Sequence, residues 1–346
     1  MHLQCIRGKV CLVGGITIYD VARECNVSVS TVSRVLNGSV LVGEKRRREV
    51  EMAAQRLGFN KRPIKKHGKR VILNIELYLP ETGTAFAHMF YDVSELVDGL
   101  RRGFDKVKVN VIVKINRPGE DIYSNKKLGD IDACVFAFTE PNDKLIVQLD
   151  KYKIPIVLLN RRIEGCAYVK YDDQACMSIL LEKIIARHMQ SGRQKVQVGY
   201  IGFAPVSRNQ ERKTSLDKAC RRYGIDFDLR RNSFDFNAIG EMPLDFAAKL
   251  HKKKYNVIIC FNDVVAISFY VNAMNNNLSI PEDFSLTGYD DSPMLEILPK
   301  RIDTIRFDVE LMGWETGTWL KQRIINREGE MLEKMIVGDY VAGKTI

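Results

Sequence analysis

The sequence contains no Gly-x-Gly-x-x-Gly, no His-Glu-x-x-His and no Gly-x-Ser-x-Gly. Those absences remove the usual frames for cradling a dinucleotide pyrophosphate, holding a catalytic zinc or presenting an activated serine. Eight cysteines (5, 11, 25, 134, 166, 176, 220 and 260) include no Cys-x-x-Cys pair. Neither a zinc ribbon nor a disulfide framework is expected, and the thiols suit a reducing cytoplasm. Cys134, Cys176 and Cys260 stand in apolar runs and are expected in the core. The five histidines (2, 67, 88, 188 and 251) show no ligand spacing, so no metal and no other cofactor is expected. No apolar run approaches the roughly 20 residues of a membrane span. The apolar patch within residues 1–15, MHLQCIRGKVCLVGG, is too short for a signal peptide, and this stretch is expected to be a disordered extension or a misplaced start.

What is present is concentrated at one end. Residues 1–70 hold 15 basic and 5 acidic side chains, so the remaining 38 of each sign cancel and the whole net charge of +10 sits on the first fifth of the chain. Within it, residues 16–37 read ITIYDVARECNVSVSTVSRVLN. Thr17 followed three residues later by Asp20 is a capping box, Val21 and Ala22 supply an apolar stripe, and Asn26 stops the helix. After the Asn26-Val27 turn, Ser28 can cap a second helix. Val32, Val35 and Leu36 share one face of that helix, while Ser30, Arg34 and Asn37 share another. An Arg, small hydroxyls and an Asn suit base edges and phosphates, and a helix-turn-helix lays its second helix in the major groove. An ordinary amphipathic pair with a solvated face would show the same periodicity. The localised charge favours DNA, because phosphate binding needs a basic footprint rather than a uniformly basic surface.

The segment IYDVARECNVSVSTVSRVLNGS, with the basic helix ending in AAQRLGF, closely resembles the headpiece of the LacI/GalR repressors, and the similarity runs to about residue 340. The resemblance implies base readers at Val29, Ser30 and Arg34, and phosphate or groove contacts at Thr17, Tyr19, Ser28, Ser33 and Asn37. A third helix over 44–57 would brace the pair, with Gly43 where relatives carry a capping Ser.

From Val71 onward, short apolar runs (71–79, 109–113, 133–138, 155–160, 196–202, 257–261 and 284–289) alternate with helical stretches such as 173–190 and 264–277. Such runs read as buried parallel strands, and about ten of them suit two doubly wound lobes. The expected fold is an all-α helix-turn-helix headpiece (16–59), a basic linker (60–70) and an α/β core (71–346). The resemblance makes that core a periplasmic-binding-protein-like pair of lobes closing over a small ligand.

Ligands of open α/β sheets bind beyond the carboxyl ends of the strands. Polar pairs stand there at Asn160-Arg161, Asp172-Asp173, Asn262-Asp263 and Asp290-Asp291. Carboxylates, amides and Arg suit sugar hydroxyls, with an aromatic ring against the apolar face of the sugar. The resemblance implies effector contacts at Arg212, Asn262 and Asp290, with Asn160 where an Asp is common and Phe234 as the ring. Asp173 and Asp263 are read instead as helix caps. Phe307 occupies a place that is often polar in relatives, and His188 looks structural.

The connector NKRPIKKHGKR, residues 60–70, has six basic residues and no Leu, and Pro63 and Gly68 would break a short helix. It reads either as an arm tracking phosphates or as a plain soluble linker, not as the leucine-wedge hinge helix of most relatives. It is similar to the connector of the Gram-positive galactose-repressor and evolved-β-galactosidase-repressor branch, which implies a galactoside-like effector. The expected protein is a homodimeric cytoplasmic repressor of sugar-utilisation genes that binds double-stranded operator DNA and no membrane. The alternatives are a DNA-binding regulator with a degenerate or non-sugar pocket, or an enzyme using paired Asp as general acid and base.

Overall fold

A computed structural model describes residues 18–36, 42–59, 66–67, 70–81, 92–117, 128–192, 195–204, 208–326 and 329–346. Thr17, Asn37, the extension at 1–15 and most of the connector (60–65 and 68–69) lie outside the described residues.

Three helices come first, α1 (Ile18–Glu24), α2 (Val29–Leu36) and α3 (Glu44–Arg56). Val21, Ala22, Val32, Val35, Val50 and Ala54 form their common core. Asn26 ends α1 in the left-handed region at φ 50°, which its short polar side chain tolerates. The Val27 N–H then returns to the Ala22 carbonyl at 3.0 Å, the closure a C-terminal glycine usually permits. Ser28 Oγ accepts from the Thr31 N–H at 3.2 Å and caps α2, whereas α3 opens on Gly43 with no side-chain cap.

The described residues of the connector, 66–67 and 70, are strand. β1 (Lys66–His67) runs antiparallel to the first residues of β2 (Arg70–Pro80). The first lobe continues through α4 (Val93–Gly103), β3 (Lys108–Asn116), β4 (Ala133–Ala137), α5 (Asp143–Lys151), β5 (Ile156–Leu159) and β6 (Ala167–Tyr171). The second lobe runs α6 (Asp173–Gln190), β7 (Val198–Phe203), α7 (Arg208–Arg222), β8 (Ser233–Phe236), α8 (Phe246–Lys252), β9 (Val257–Cys260), α9 (Asp263–Asn275) and β10 (Ser285–Thr287). After β11 (Thr304–Arg306) the chain returns to the first lobe as α10 (Val309–Lys321) and β12 (Glu333–Ile336), then finishes with β13 (Asp339–Val341) on β11.

Both sheets are parallel. The first is ordered β3-β2-β4-β5-β6-β12, with β1 antiparallel at the start of β2, and the second β10-β9-β7-β8. In the first, Leu73, Ile75 and Leu77 face α4 and α10, while Tyr78, Cys134, Phe136 and Leu158 face α5. Burial on both faces is why these strands read as continuous apolar runs. The chain passes between lobes three times: after Tyr171, between Arg306 and Val309, and between Ile336 and Asp339. Helices α4 and α10 touch through glycines. A Cβ on Gly99 would lie 2.0 Å from the Glu310 carbonyl oxygen, and one on Gly313 would lie 2.4 Å from that of Leu96.

Candidate functional site

Two surfaces gather most of the described residues that the sequence points to. On the headpiece, α2 buries Val32 and Val35 and leaves Ser30 and Arg34 exposed. Tyr19 projects from α1 at 65% exposure. Val29 differs from these, because it is partly buried against the headpiece core and offers only part of its side chain outward. Ser28 is committed to its cap and to hydroxyl contacts with Ser30 and Thr31, both 2.8 Å. Ser33 is half-buried.

The second surface lies where strand ends of the two lobes meet. Arg212, on α7, is buried. Its guanidinium stands 3.4 Å from Asp290 and 3.5 Å from Asp173 and bonds the Phe261 carbonyl. It also lies over the rings of Tyr289 and Phe261, at 4.2 and 4.6 Å from their centroids. Burial alone would weaken its charge, but Asp290 and Asp173 more than offset that and hold it above the usual guanidinium range. Burial pushes Asp290 above the ordinary carboxylate range, with Arg212 pulling the other way.

One turn earlier on α7, Arg208 forms a buried ion pair with Asp173. It also donates across the lobes to the Asn160 carbonyl at 3.3 Å, and Arg161 donates to the same carbonyl at 2.8 Å. Desolvation, followed by the like charges of Arg208 and Arg212, lowers the Arg161 guanidinium to about 10, although Glu140 opposes the shift. Asn160 and Asp290 both sit at positive φ, 57° and 99°. Non-glycine residues held there cost of order 1–3 kcal/mol and cluster at binding sites.

Two readings of carboxylates need correction. Asp173 and Asp263 cap no helix. The caps are the preceding residues, Asp172 accepting from Ala175 at 3.0 Å and Asn262 accepting from Val265 at 3.0 Å. The residue just inside each helix turns inward: Asp173 meets Arg208 and Arg212, while Asp263 accepts from the Ser292 N–H at 2.6 Å and the Thr304 hydroxyl at 2.7 Å. Asp263 thereby braces the turn that carries Asp290. The side-chain oxygen of Asn262 is spent on its helix, which leaves only its amide group to face the cleft.

Phe234 is not brought to this cluster. It packs edge-on against Phe246 and Tyr255, at 5.5 and 5.7 Å, in the apolar layer beneath α8. The aromatic surface beside Arg212 comes from the crossovers. Tyr171 and Phe307 stack at 3.7 Å, and Phe307 meets Tyr289 at 5.3 Å. Arg208 and Tyr171 carried no signal in the sequence. SRNQER reads as a solvated helix start, and Tyr171 as one more strand residue.

Three buried polar atoms of this one region have neither a hydrogen-bond nor an ion-pair partner, Asn160 Oδ1, the Tyr171 hydroxyl and Arg208 Nε, while Asp173 Oδ1 and Arg212 Nε meet only each other, at 3.5 Å. Buried polar groups are nearly always satisfied, so such a concentration is what a polar ligand would complete. Among the described residues no group of His, Cys, Asp or Glu is placed to hold a metal ion, and no helix is long and apolar enough to cross a membrane.

Residues 17–61 match the family of bacterial regulatory proteins, lacI family, and residues 192–345 match the periplasmic binding protein-like domain. The ribose operon repressor of Lactococcus lactis subsp. lactis (strain IL1403) is 26% identical over 334 residues, covering 95% of this chain and 98% of that repressor. Among solved structures, the complex of the transcriptional regulator CelR with cellobiose superimposes with a TM-score of 0.63 at 20% identity, covering 95% of this chain and 99% of that one. The lac repressor dimer bound to operator and the anti-inducer ONPF gives 0.61 at 18% identity, covering 96% and 99%.

Proposed function

We propose that this chain, a lacI-family helix-turn-helix domain joined to a periplasmic-binding-protein-like core, is a homodimeric cytoplasmic repressor whose hold on operator DNA is set by a sugar-like effector between the lobes. The observation that carries the DNA half is the split face of α2: Val32 and Val35 are buried while Ser30 and Arg34 stay exposed, on a segment that holds the whole net charge of the chain. Arg34 and Ser30 read bases, with Val29 contributing its outward part. Thr17, Tyr19, Ser28, Ser33 and Asn37 contact phosphates or groove walls. Two headpieces of a dimer address the half-sites of a pseudo-palindromic operator.

In the cleft, Arg212, Asp290, Asn160 and the Asn262 amide take effector hydroxyls. The Tyr171–Phe307 stack supplies the apolar wall in place of Phe234. Relatives named for ribose and cellobiose support a sugar as the ligand class. The site binds rather than catalyses, since both central carboxylates are engaged by arginines.

The test is fluorescence anisotropy of an operator-containing promoter fragment with the full-length protein, titrated with a panel of sugars. Tight, sequence-dependent binding that one sugar class shifts supports the reading. Equal affinity for promoter and random DNA overturns it.

A further inference from the structure

The charges buried in the cleft do not balance. Arg161, Arg208 and Arg212 converge there with Asp173 and Asp290, while Asp263, wholly buried beside Asp290, has its oxygens committed to the Ser292 N–H and the Thr304 hydroxyl and is held toward its neutral form by burial. Both carboxylates are already engaged, Asp173 by Arg208 and Arg212, and Asp290 by Arg212. Arg161 has only the half-exposed Glu140, 3.6 Å from its Nε.

Arg161 and Arg208 also approach each other. Their guanidinium groups, from the two lobes, donate to a single neutral acceptor, the Asn160 carbonyl. Two cations side by side over one carbonyl, with 15% and 3% of their side chains exposed, repel each other in a poorly screened place. The nearby unpartnered atoms include a donor, Arg208 Nε, and the Tyr171 hydroxyl. A neutral sugar hydroxyl could bond these atoms but would leave the surplus charge uncompensated. An oxyanion would meet both guanidinium groups and neutralise it.

We infer that the effector carries an anionic group, a phosphate or carboxylate on a sugar frame, held between Arg161 and Arg208 at the mouth of the cleft. The inference rests on the cleft being the effector site. It narrows that reading from sugars in general to acidic or phosphorylated ones. Arg212 and Asp290 then hold the hydroxyls, while the Arg161–Arg208 pair selects by charge.

Thermal unfolding of the full-length protein tests this with matched probes: glucose 6-phosphate and galactose 6-phosphate for phosphate, gluconate and galacturonate for carboxylate, and glucose and galactose as neutral counterparts, all at one ionic strength. At saturating ligand the charged probe that fits raises the melting temperature by at least about 2 °C more than its neutral counterpart. Which arm responds identifies phosphate or carboxylate. Arg161→Gln abolishes that increment, whereas Arg161→Lys, which keeps the charge but loses the fork, retains part of it. Neutral probes that stabilise as much as charged ones overturn the inference while leaving the sugar cleft standing, and so does an increment that survives in Arg161→Gln. If Arg161→Gln does not fold, the comparison of charged with neutral probes on the unaltered protein still decides. No shift with any of the six overturns the cleft reading and this inference together.

Discussion

Arg208 and Asp173 form an ion pair in which both side chains are almost wholly inside the protein, and Arg208 also reaches the Asn160 carbonyl of the first lobe. One side chain thus ties the start of the second lobe to a strand end of the first. Arg208→Met is expected to leave Asp173 buried with only the longer 3.5 Å approach of Arg212. Removing one partner of a buried pair costs about 3–5 kcal/mol, because the surviving charge is uncompensated. Chemical unfolding of the variant should lose stability on that scale. A loss within experimental error would mean that Arg212 alone compensates Asp173.

The lobes were largely legible in the sequence, and their junction was not. Runs such as 133–138 and 257–261 announced buried strands, because a strand covered on both faces has no polar alternation. Cap assignment failed at Asp173 and Asp263 by one residue each. Whether the first or second polar residue of a pair caps a helix depends on backbone angles, and the inward one was decided by Arg208, 35 positions further on. Phe234 was misplaced for a related reason. On β8 its face of the sheet is set by register with β7, which local spacing does not encode.

The split face of α2 makes Arg34→Ala a test of base reading. Operator affinity should fall by about 1–3 kcal/mol, with relaxed preference at one base position. Binding to random DNA should fall less. Equal losses on both would make Arg34 a phosphate contact only.

Close packing of α4 on α10 sets a steric prediction. A methyl group at Gly99 would meet the Glu310 carbonyl oxygen at 2.0 Å, and that backbone cannot rotate away as a side chain could. Gly99→Ala should therefore destabilise the first lobe by about 1–3 kcal/mol or more, the usual cost of overpacking. Gly43→Ala meets nothing within 4 Å and serves as the control. Comparable urea midpoints for the two variants would show that the helices separate at little cost.

Asp263 supplies a pH dependence. Burial first, and then the charge of Asp290, push its carboxyl well above the ordinary range. The folded protein therefore takes up a proton that the unfolded chain releases. The stability this contributes is fully present below the ordinary carboxylate pKa and is lost as pH rises through the raised folded value. Asp263→Asn has no such titration and resembles the protonated state at every pH. The melting temperature of the unaltered protein minus that of Asp263→Asn should fall steadily as pH rises from about 4 to about 8. A difference that stays flat, or that grows with pH, would place the titrating proton elsewhere.

The connector bears on how the headpiece is held to the core. Lys66 and His67 pair in antiparallel register with Val71 and Arg70, so these two positions are strand and cannot continue a hinge helix. Residues 60–70 contain no leucine to wedge between base pairs, and kinking a duplex through the minor groove needs an apolar wedge. The six basic residues there instead favour the phosphate backbone, a contact that releases counterions and leaves the duplex straight. Two outcomes follow for an operator fragment. A circular-permutation gel shift should give little mobility change with site position, and replacing Lys65 and Lys66 by Gln should make the salt dependence of binding shallower by up to about two counterions. A sharp bend near the operator centre would show that the connector enters the groove. An unchanged salt slope would show that it tracks no phosphate and serves only as a tether, in which case the effector could reach the DNA only through the spacing of the two headpieces.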